Sequence, residues 1–398
     1  MLFEIIIAIL AGVTAGTFTG LIPGIHINLI SVLIVTYSTK LLDKFSPIDI
    51  GVFIMSMSVT HTFLDSIPSI FLGAPDADQA LGVLPGHKML LKGRGFGAVH
   101  LTVLGSFLGL ILSIALFPLL IKIVGSVYPV IKNYIGWMLL GVVVFMILRE
   151  KKRFTALYLF LYSGVLGLIV LNMPNLKNPL FPLLSGLFGV SSLILSLSEN
   201  VKVPMQIFKK FKLKKSILAR SVSASTVSGI ITAFMPGLGP AQGAVLGQQM
   251  SGNIGDKGFL VLIGGLNTVN MILSLVTFYV LEKARNGSII ALSNIIDFNL
   301  ESVIIILVSI LLVGIINFFW AQKLTIIFSK FVEVIPYKQL SYSIIALITF
   351  LAFFLSGWIG LLILVTASFA GLIAPLVGIS RSHAMGCLML PVITYFLL

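Results

Sequence analysis

The chain has 398 residues, 58% of them apolar and 10% charged, with a mean hydropathy of +1.12. That balance excludes a water-soluble globular domain, which could not hide so much apolar surface in its interior. The net charge of +13 is concentrated in short polar stretches between apolar segments, so it reports membrane topology and argues against nucleic-acid binding.

Runs of about 20 apolar residues recur along the chain, each long enough as a helix to cover the roughly 30 Å hydrocarbon core. The short alternating segments of a membrane β-barrel are missing. The segments predicted are 3–22, 26–42, 50–72, 97–121, 130–148, 154–172, 180–198, 217–235, 238–250, 258–281, 300–320, 341–356, 358–378 and 383–397. Several are too short, or too rich in glycine and proline, to cross as regular helices. The expected fold is an all-α polytopic membrane protein of about 10–14 segments, some of them broken or re-entrant.

The first segment has Glu4 where a signal peptide would carry basic residues, and it has no small-residue cleavage site, so it reads as part of the mature protein. It runs into Gly16-Thr-Phe-Thr-Gly20-Leu-Ile-Pro23-Gly24-Ile25-His26. Proline removes a backbone donor and clashes with the preceding turn, and the glycine lets the chain leave helical geometry; Pro23-Gly24 therefore predicts a helix break. Non-helical backbone at membrane depth survives only where protein or a water-filled cavity satisfies it. A half-helix restarting there would aim free amides and a positive dipole end at the bilayer interior, a suitable cradle for an anion. His26 and Asn28 follow the break and could bind the same anion. A kink made for helix packing is the plainer alternative, and the Gly16/Gly20 spacing favours close packing either way.

His61 and Asp65 stand four residues apart, on one helical face, in the nearly uncharged segment 51–72. Ionisable groups inside a membrane are costly and usually face a polar pathway, so this pair is the candidate for proton or sodium coupling. Mutual neutralisation near a membrane surface is the other reading, since Pro68 and the polar run from Gly73 to Gln79 end the segment soon afterwards.

Two basic blocks, Arg149/Lys151/Lys152/Arg153 and Lys202 through Lys215 with Arg220, bracket segments 154–172 and 180–198. The positive-inside rule places both blocks in the cytoplasm and the turn Asn172–Asn178 outside. The loop with His87, Lys88, Lys92 and Arg94 then falls inside, and residues 122–132 outside. Cys387, the one cysteine, lies in an apolar segment and reads as a small buried hydrophobe.

The first-half pattern returns as Gly229-Ile-Ile-Thr-Ala233-Phe-Met-Pro236-Gly237-Leu238-Gly239, with the same spacing of small residues before Pro-Gly. Gln242, Gln248 and Gln249 follow it, and then Asn267 and Asn270, which occupy the place that His61 and Asp65 hold in the first half. The recurrence points to a duplication: residues 1–200 as a first transmembrane repeat, 201–216 as a basic cytoplasmic linker and 217–398 as a second, inverted repeat. Pro23, Gly24, His26, Asn28, Pro236, Gly237, Gly239 and Gln242 are the expected substrate-binding residues. His61, Asp65, Asn267 and Asn270 are the expected ion-coupling residues.

Catalysis finds little support. Asn253-Ile-Gly255-Asp256 lacks the first glycine of the intramembrane aspartyl protease signature, and no zinc-protease helix, serine-nucleophile elbow or phosphate loop is present. No catalytic residue, metal site or cofactor is expected, beyond Na+ or H+ as a coupling ion.

The order of Gly16 to Gly24, Ile67-Pro-Ser-Ile-Phe-Leu-Gly-Ala-Pro75, Leu84-Pro-Gly-His-Lys88, Lys92-Gly-Arg-Gly95, Gly105-Ser-Phe-Leu-Gly109 and Pro236 to Gly239 resembles the large membrane subunit of tripartite tricarboxylate transporters. The chain is shorter than usual members and has Pro-Asp-Ala-Asp-Gln after Ala74 in place of Gly-Thr-Pro-Ala, which suggests an orphan, archaeal-type branch. The resemblance implies a secondary transporter with inverted repeats in the plasma membrane, carrying a carboxylate-type anion with Na+ or H+. It also implies a small membrane subunit and an extracytoplasmic binding protein as partners, and a homo-oligomer is compatible with it. A fainter likeness to polyprenyl-phosphate translocases makes an anionic lipid the alternative cargo, and an intramembrane enzyme is the competing class.

Overall fold

The computed structural model describes residues 2–22, 34, 38–73, 77–174, 176, 178–198, 204–234, 239–283, 286–334 and 337–398. Helices α1 (Leu2–Leu21), α2 (Ser38–Leu42), α3 (Pro47–Leu64), α4 (Ser66–Phe71), α5 (Val83–Leu90), α6 (Gly95–Ile131), α7 (Ile135–Arg149), α8 (Arg153–Leu171), α9 (Leu180–Leu184) and α10 (Ser191–Ser198) precede the basic stretch. After it come α11 (Lys215–Phe234), α12 (Pro240–Ser251), α13 (Gly255–Leu281), α14 (Gly287–Ser293), α15 (Leu300–Val334), α16 (Tyr337–Val377) and α17 (Gly386–Leu397). Short 3-10 turns lie at Ala77–Gly82 and Arg381–Met385, and a π-helical turn at Ser185–Val190 joins α9 to α10. No strand is present among the described residues.

Eight helical stretches are long and apolar enough to cross a membrane, and α7 and the stretch Leu180–Leu195 are shorter apolar helices. The protein is an all-α, multi-pass membrane protein. Two of the spans are nearly enclosed, Pro47–Phe71 with 94% of its window buried and Gly255–Leu281 with 89%, against 28–50% for the others. Those two therefore form the centre, and the rest present a lipid-facing belt that includes Phe154, Phe354 and Trp358.

Several boundaries differ from the sequence reading. Expected segment 97–121 is part of one helix to Ile131, because Pro118 and Pro129 are absorbed inside α6 instead of ending it. The segment expected over 300–320 continues to Val334, and those at 341–356 and 358–378 are joined into α16 with a bend at Gly357, whose φ of 66° only glycine adopts at little cost. Expected segment 26–42 lies largely outside the described residues.

Helix directions follow from the glycine contacts. Gly12 meets Ser56, Gly16 meets Thr60 and Gly20 meets Leu64, so α1 and α3 run parallel. Gly258 meets Ser221, Gly265 meets Ser225 and Ala233 accepts from Thr277, so α11 and α13 are parallel too. Between them α12 runs back along α11, with Gly243 beside Thr232 and Gly247 beside Ser228. The α6–α13 crossing is closest: Gly105 abuts Val261 and Gly265, and Gly264 abuts the Thr102 carbonyl, which makes those helices parallel at backbone contact. Because α4 runs against α6, with Ser66 bonded to Thr102 and Phe71 beside Gly95, the α1/α3 pair is directed opposite to the α11/α13 pair. Two inverted copies would produce this arrangement.

The basic stretches gather at one end. The Gly95 amide donates to Gln206 at 2.9 Å and the Ile207 amide to the Gly93 carbonyl at 2.8 Å, which fixes residues 204–211 to the α5–α6 loop. Lys88 and Arg149 line one cavity there, and Lys92, Arg94, Phe211 and Lys257 line its neighbour.

Candidate functional site

Pro68 has no amide hydrogen to offer the Leu64 carbonyl, which leaves a gap in the hydrogen-bond ladder where α3 meets α4 at Asp65, while the Asp65 backbone itself stays helical. Asp65 is 2% exposed and sits where the two oppositely directed helix pairs meet. Gln79 Nε2 donates to its Oδ1 at 3.0 Å, and Asn267 Nδ2 of α13 donates to its Oδ2. Burying a carboxylate costs several kcal/mol unless hydrogen bonds replace its hydration, and an amide from the following turn and one from the second half of the chain do so here.

The junction is polar over two further turns. Thr62 and Thr268 hydroxyls are 3.1 Å apart across it, and Thr102 of α6 donates to Ser66 at 2.9 Å. His61, also buried, is 3.2 Å through Nδ1 from the Thr19 hydroxyl of α1. The expected His61/Asp65 pair is thus not one unit: His61 engages the first helix, while Asp65 takes one donor from Gln79 in the first half of the chain and one from Asn267 in the second. Asn267 joins the carboxylate as a donor. Asn270, one turn further on, is half-buried, and its carbonyl accepts from Ser274; no described hydrogen bond carries its side chain to Asp65.

Of the residues expected to bind substrate, Pro23, Gly24, His26, Asn28, Pro236 and Gly237 lie outside the described residues. Gly239 and Gln242 are described. The Gly239 amide donates to Gln242 Oε1 at 3.0 Å, so Gln242 caps the start of α12 and satisfies one of the amides there. Described residues near both Pro-Gly sequences lie beside the Asp65 junction: Gly20, near the end of α1, packs on His61 and Leu64, while Gly243, in the first turn of α12, packs on Leu266, the neighbour of Asn267. The N-terminal half of α12 also packs on the turn Ala77–Gly82 that carries Gln79.

Gln79 stands in the polar run from Gly73, but nothing in its spacing from Asp65 announces the bond. Thr62 and Thr268 were missed for the same reason, since a single threonine in an apolar helix usually bonds its own backbone. No cluster of three or more His, Cys, Asp or Glu side chains suited to a metal ion occurs among the described residues.

The family model for the tripartite tricarboxylate transporter TctA family matches residues 6–386. The chain is also 31% identical over 403 aligned positions to an uncharacterized protein of Methanocaldococcus jannaschii, with 98% of each chain covered. No solved structure matches it. An intramembrane enzyme, carried above as the competing class, gives way on this finding to transport. A match across nearly the whole length, on a helical membrane fold with a polar junction at its centre, establishes that the chain is a multi-pass membrane transporter belonging to the tripartite tricarboxylate transporter TctA family.

Proposed function

We propose that this protein moves a small carboxylate-type anion across the plasma membrane by secondary transport, coupled to Na+ or H+. The observation that carries the reading is the buried Asp65 carboxylate, set at the α3/α4 junction and bonded by amides of Gln79 and Asn267 where the two oppositely directed helix pairs meet. An intramembrane carboxylate in that position can take up a proton or neutralise a bound cation. The amides that now donate could turn their carbonyl oxygens toward Na+, and the Thr62 and Thr268 hydroxyls add neutral oxygens nearby. Loading or unloading Asp65 would then change the bonding between the two pairs, the kind of two-state element that couples ion binding to access.

Substrate binding is assigned to Pro23, Gly24, His26 and Asn28 at the first break and to Pro236, Gly237, Gly239 and Gln242 at the second. His61, Asp65, Asn267 and Asn270 are assigned to coupling. Membership of a tripartite family supports a small membrane subunit and an extracytoplasmic binding protein as partners, with the basic end facing the cytoplasm.

The test is uptake of labelled di- and tricarboxylates into proteoliposomes under an inward Na+ or H+ gradient, with and without the partner subunits. Gradient-dependent accumulation of a carboxylate is the expected result. Failure with every carboxylate, together with flipping of a polyprenyl phosphate in the same vesicles, would transfer the cargo to anionic lipid.

A further inference from the structure

At the basic end lies a cavity of about 690 Å³, outside the Asp65 junction but bordering it: Leu81, on the same short turn as Gln79, forms part of its wall. Its charged lining is Lys88, Arg149, Glu150, Asp256 and Arg381, with His383 beside them. Arg381 is the unusual member. It is 6% exposed and donates through Nη1 to Ser192 at 2.6 Å and more weakly to Ser191 at 3.4 Å, while its Nε and Nη2 are shielded from solvent and have no partner. The nearby carboxylate is committed elsewhere. Glu150 accepts from the Ser380 amide at 3.2 Å, from the Lys151 amide at 3.2 Å and from His383 Nε2 at 3.3 Å. No carboxylate among the described residues forms an ion pair with Arg381. His383 Nδ1 is a third buried polar atom without a partner on the same 3-10 turn.

A buried cation held only by two hydroxyls carries a desolvation cost that its protein partners do not repay. Burial pushes the Arg381 guanidinium down to about 10, which leaves it charged at neutral pH. Its planar fork, with two adjacent donors unpaired, matches one chemical class above others, the two oxygens of a carboxylate or phosphate.

We propose that this cavity is a second anion subsite, in which Arg381 is the charge partner and His383 a further contact for a small soluble carboxylate entering or leaving at the basic end. The proposal deepens the carboxylate-carrier reading and rests on it for the identity of the ligand. The guanidinium, sealed in this conformation, would take the anion's carboxylate in a state where the 381–385 turn moves away from α10. Lys88 and Arg149 at the wall would draw the anion in.

The test uses the full chain in phosphatidylcholine nanodiscs, with binding of citrate, succinate and inorganic phosphate measured by calorimetry and by ligand-induced change in melting temperature, without any ion gradient. The parent is expected to bind at least one of these anions, and Arg381→Gln to bind it at least tenfold more weakly while melting no lower than the parent without ligand. A purely structural arginine gives the reverse, a lower melting temperature with parental affinity, and would overturn the proposal. Arg381→Lys keeps the charge but not the fork, so it too should lose about tenfold in affinity. It decides the question by itself if the glutamine variant does not fold, and parental affinity in it is fatal to the idea. Stabilisation by phosphatidylglycerol nanodiscs alone, with no response to soluble anions, also overturns it in favour of a lipid headgroup. Failure of the two readings is separable. Parental citrate affinity in Arg381→Gln, together with normal uptake, removes the subsite and leaves the carrier. Arg381-dependent binding with no gradient-driven uptake of any carboxylate removes the carrier and leaves the site.

Discussion

Asn267, near the middle of α13, donates its side-chain amide to Asp65 at the α3/α4 junction, and so joins residues 202 positions apart across the meeting plane of two oppositely directed helix pairs. The bond is made in an enclosed setting, where Asp65 is 2% and Asn267 3% exposed. Any movement that separates the pairs must first replace it.

Asp65→Asn is expected to abolish gradient-driven uptake and to spare the fold, because the amide fills the same space but can neither titrate nor neutralise a cation. Substrate exchange across vesicles without a gradient should survive in part. Accumulation at the parental rate in the variant would move Asp65 into a purely structural role.

Asn267→Ala leaves one Asp65 oxygen without its described donor in a buried site, which should cost about 1–3 kcal/mol of stability. Combining it with Asp65→Asn should cost less than the sum of the two single changes, since the oxygen to be satisfied is then neutral. Thermal unfolding of the four members of the cycle measures this, and strict additivity would show that the contact is energetically idle.

Gly264→Val tests the central crossing. A Cβ at this position would overlap the Thr102 carbonyl, a backbone group that cannot swing aside, so α6 and α13 must separate. Overpacking of this kind typically costs about 1–3 kcal/mol. The expected outcome is a lower melting temperature for Gly264→Val and little change for Gly141→Val, where a Cβ meets open space.

Gly24→Val and Gly237→Val should weaken the same substrate, because the two-break site demands that both restarted half-helices face one anion. Loss of a single charge-assisted hydrogen bond costs about 1.5–3 kcal/mol, roughly ten- to more than a hundredfold in affinity. A variant whose melting temperature falls while its ligand response stays parental identifies that break as a packing feature.

Single cysteines in a Cys387→Ser background should place position 175 outside and positions 209–215 in the cytoplasm. Labelling of position 175 by an impermeant maleimide only from the cytoplasmic side would invert the orientation of the whole molecule, including the side from which the Arg381 cavity opens.

The membrane class, the helical architecture and most span positions follow from hydropathy alone, because a segment in lipid must satisfy its own backbone and can do so only as a helix. The bend near residue 357 falls at an expected segment boundary, since glycine acts on the chain locally, whereas the α3/α4 junction lies inside the expected segment 50–72. Asp65 and Asn267 could be singled out as polar groups that a membrane tolerates only for a reason. That they bond each other, that His61 lies against the Thr19 hydroxyl, and that Gln79 donates to the other carboxylate oxygen are decided by which elements lie side by side, a matter of packing between segments up to about two hundred residues apart. Arg381 shows the same limit from the other side. In the sequence it is one cation at the edge of an apolar segment, indistinguishable from a residue reaching for water. Only the tertiary structure buries it against Ser191 and Ser192 with two donors unmet, because burial and partnership belong to the space around a side chain and not to its place along the chain.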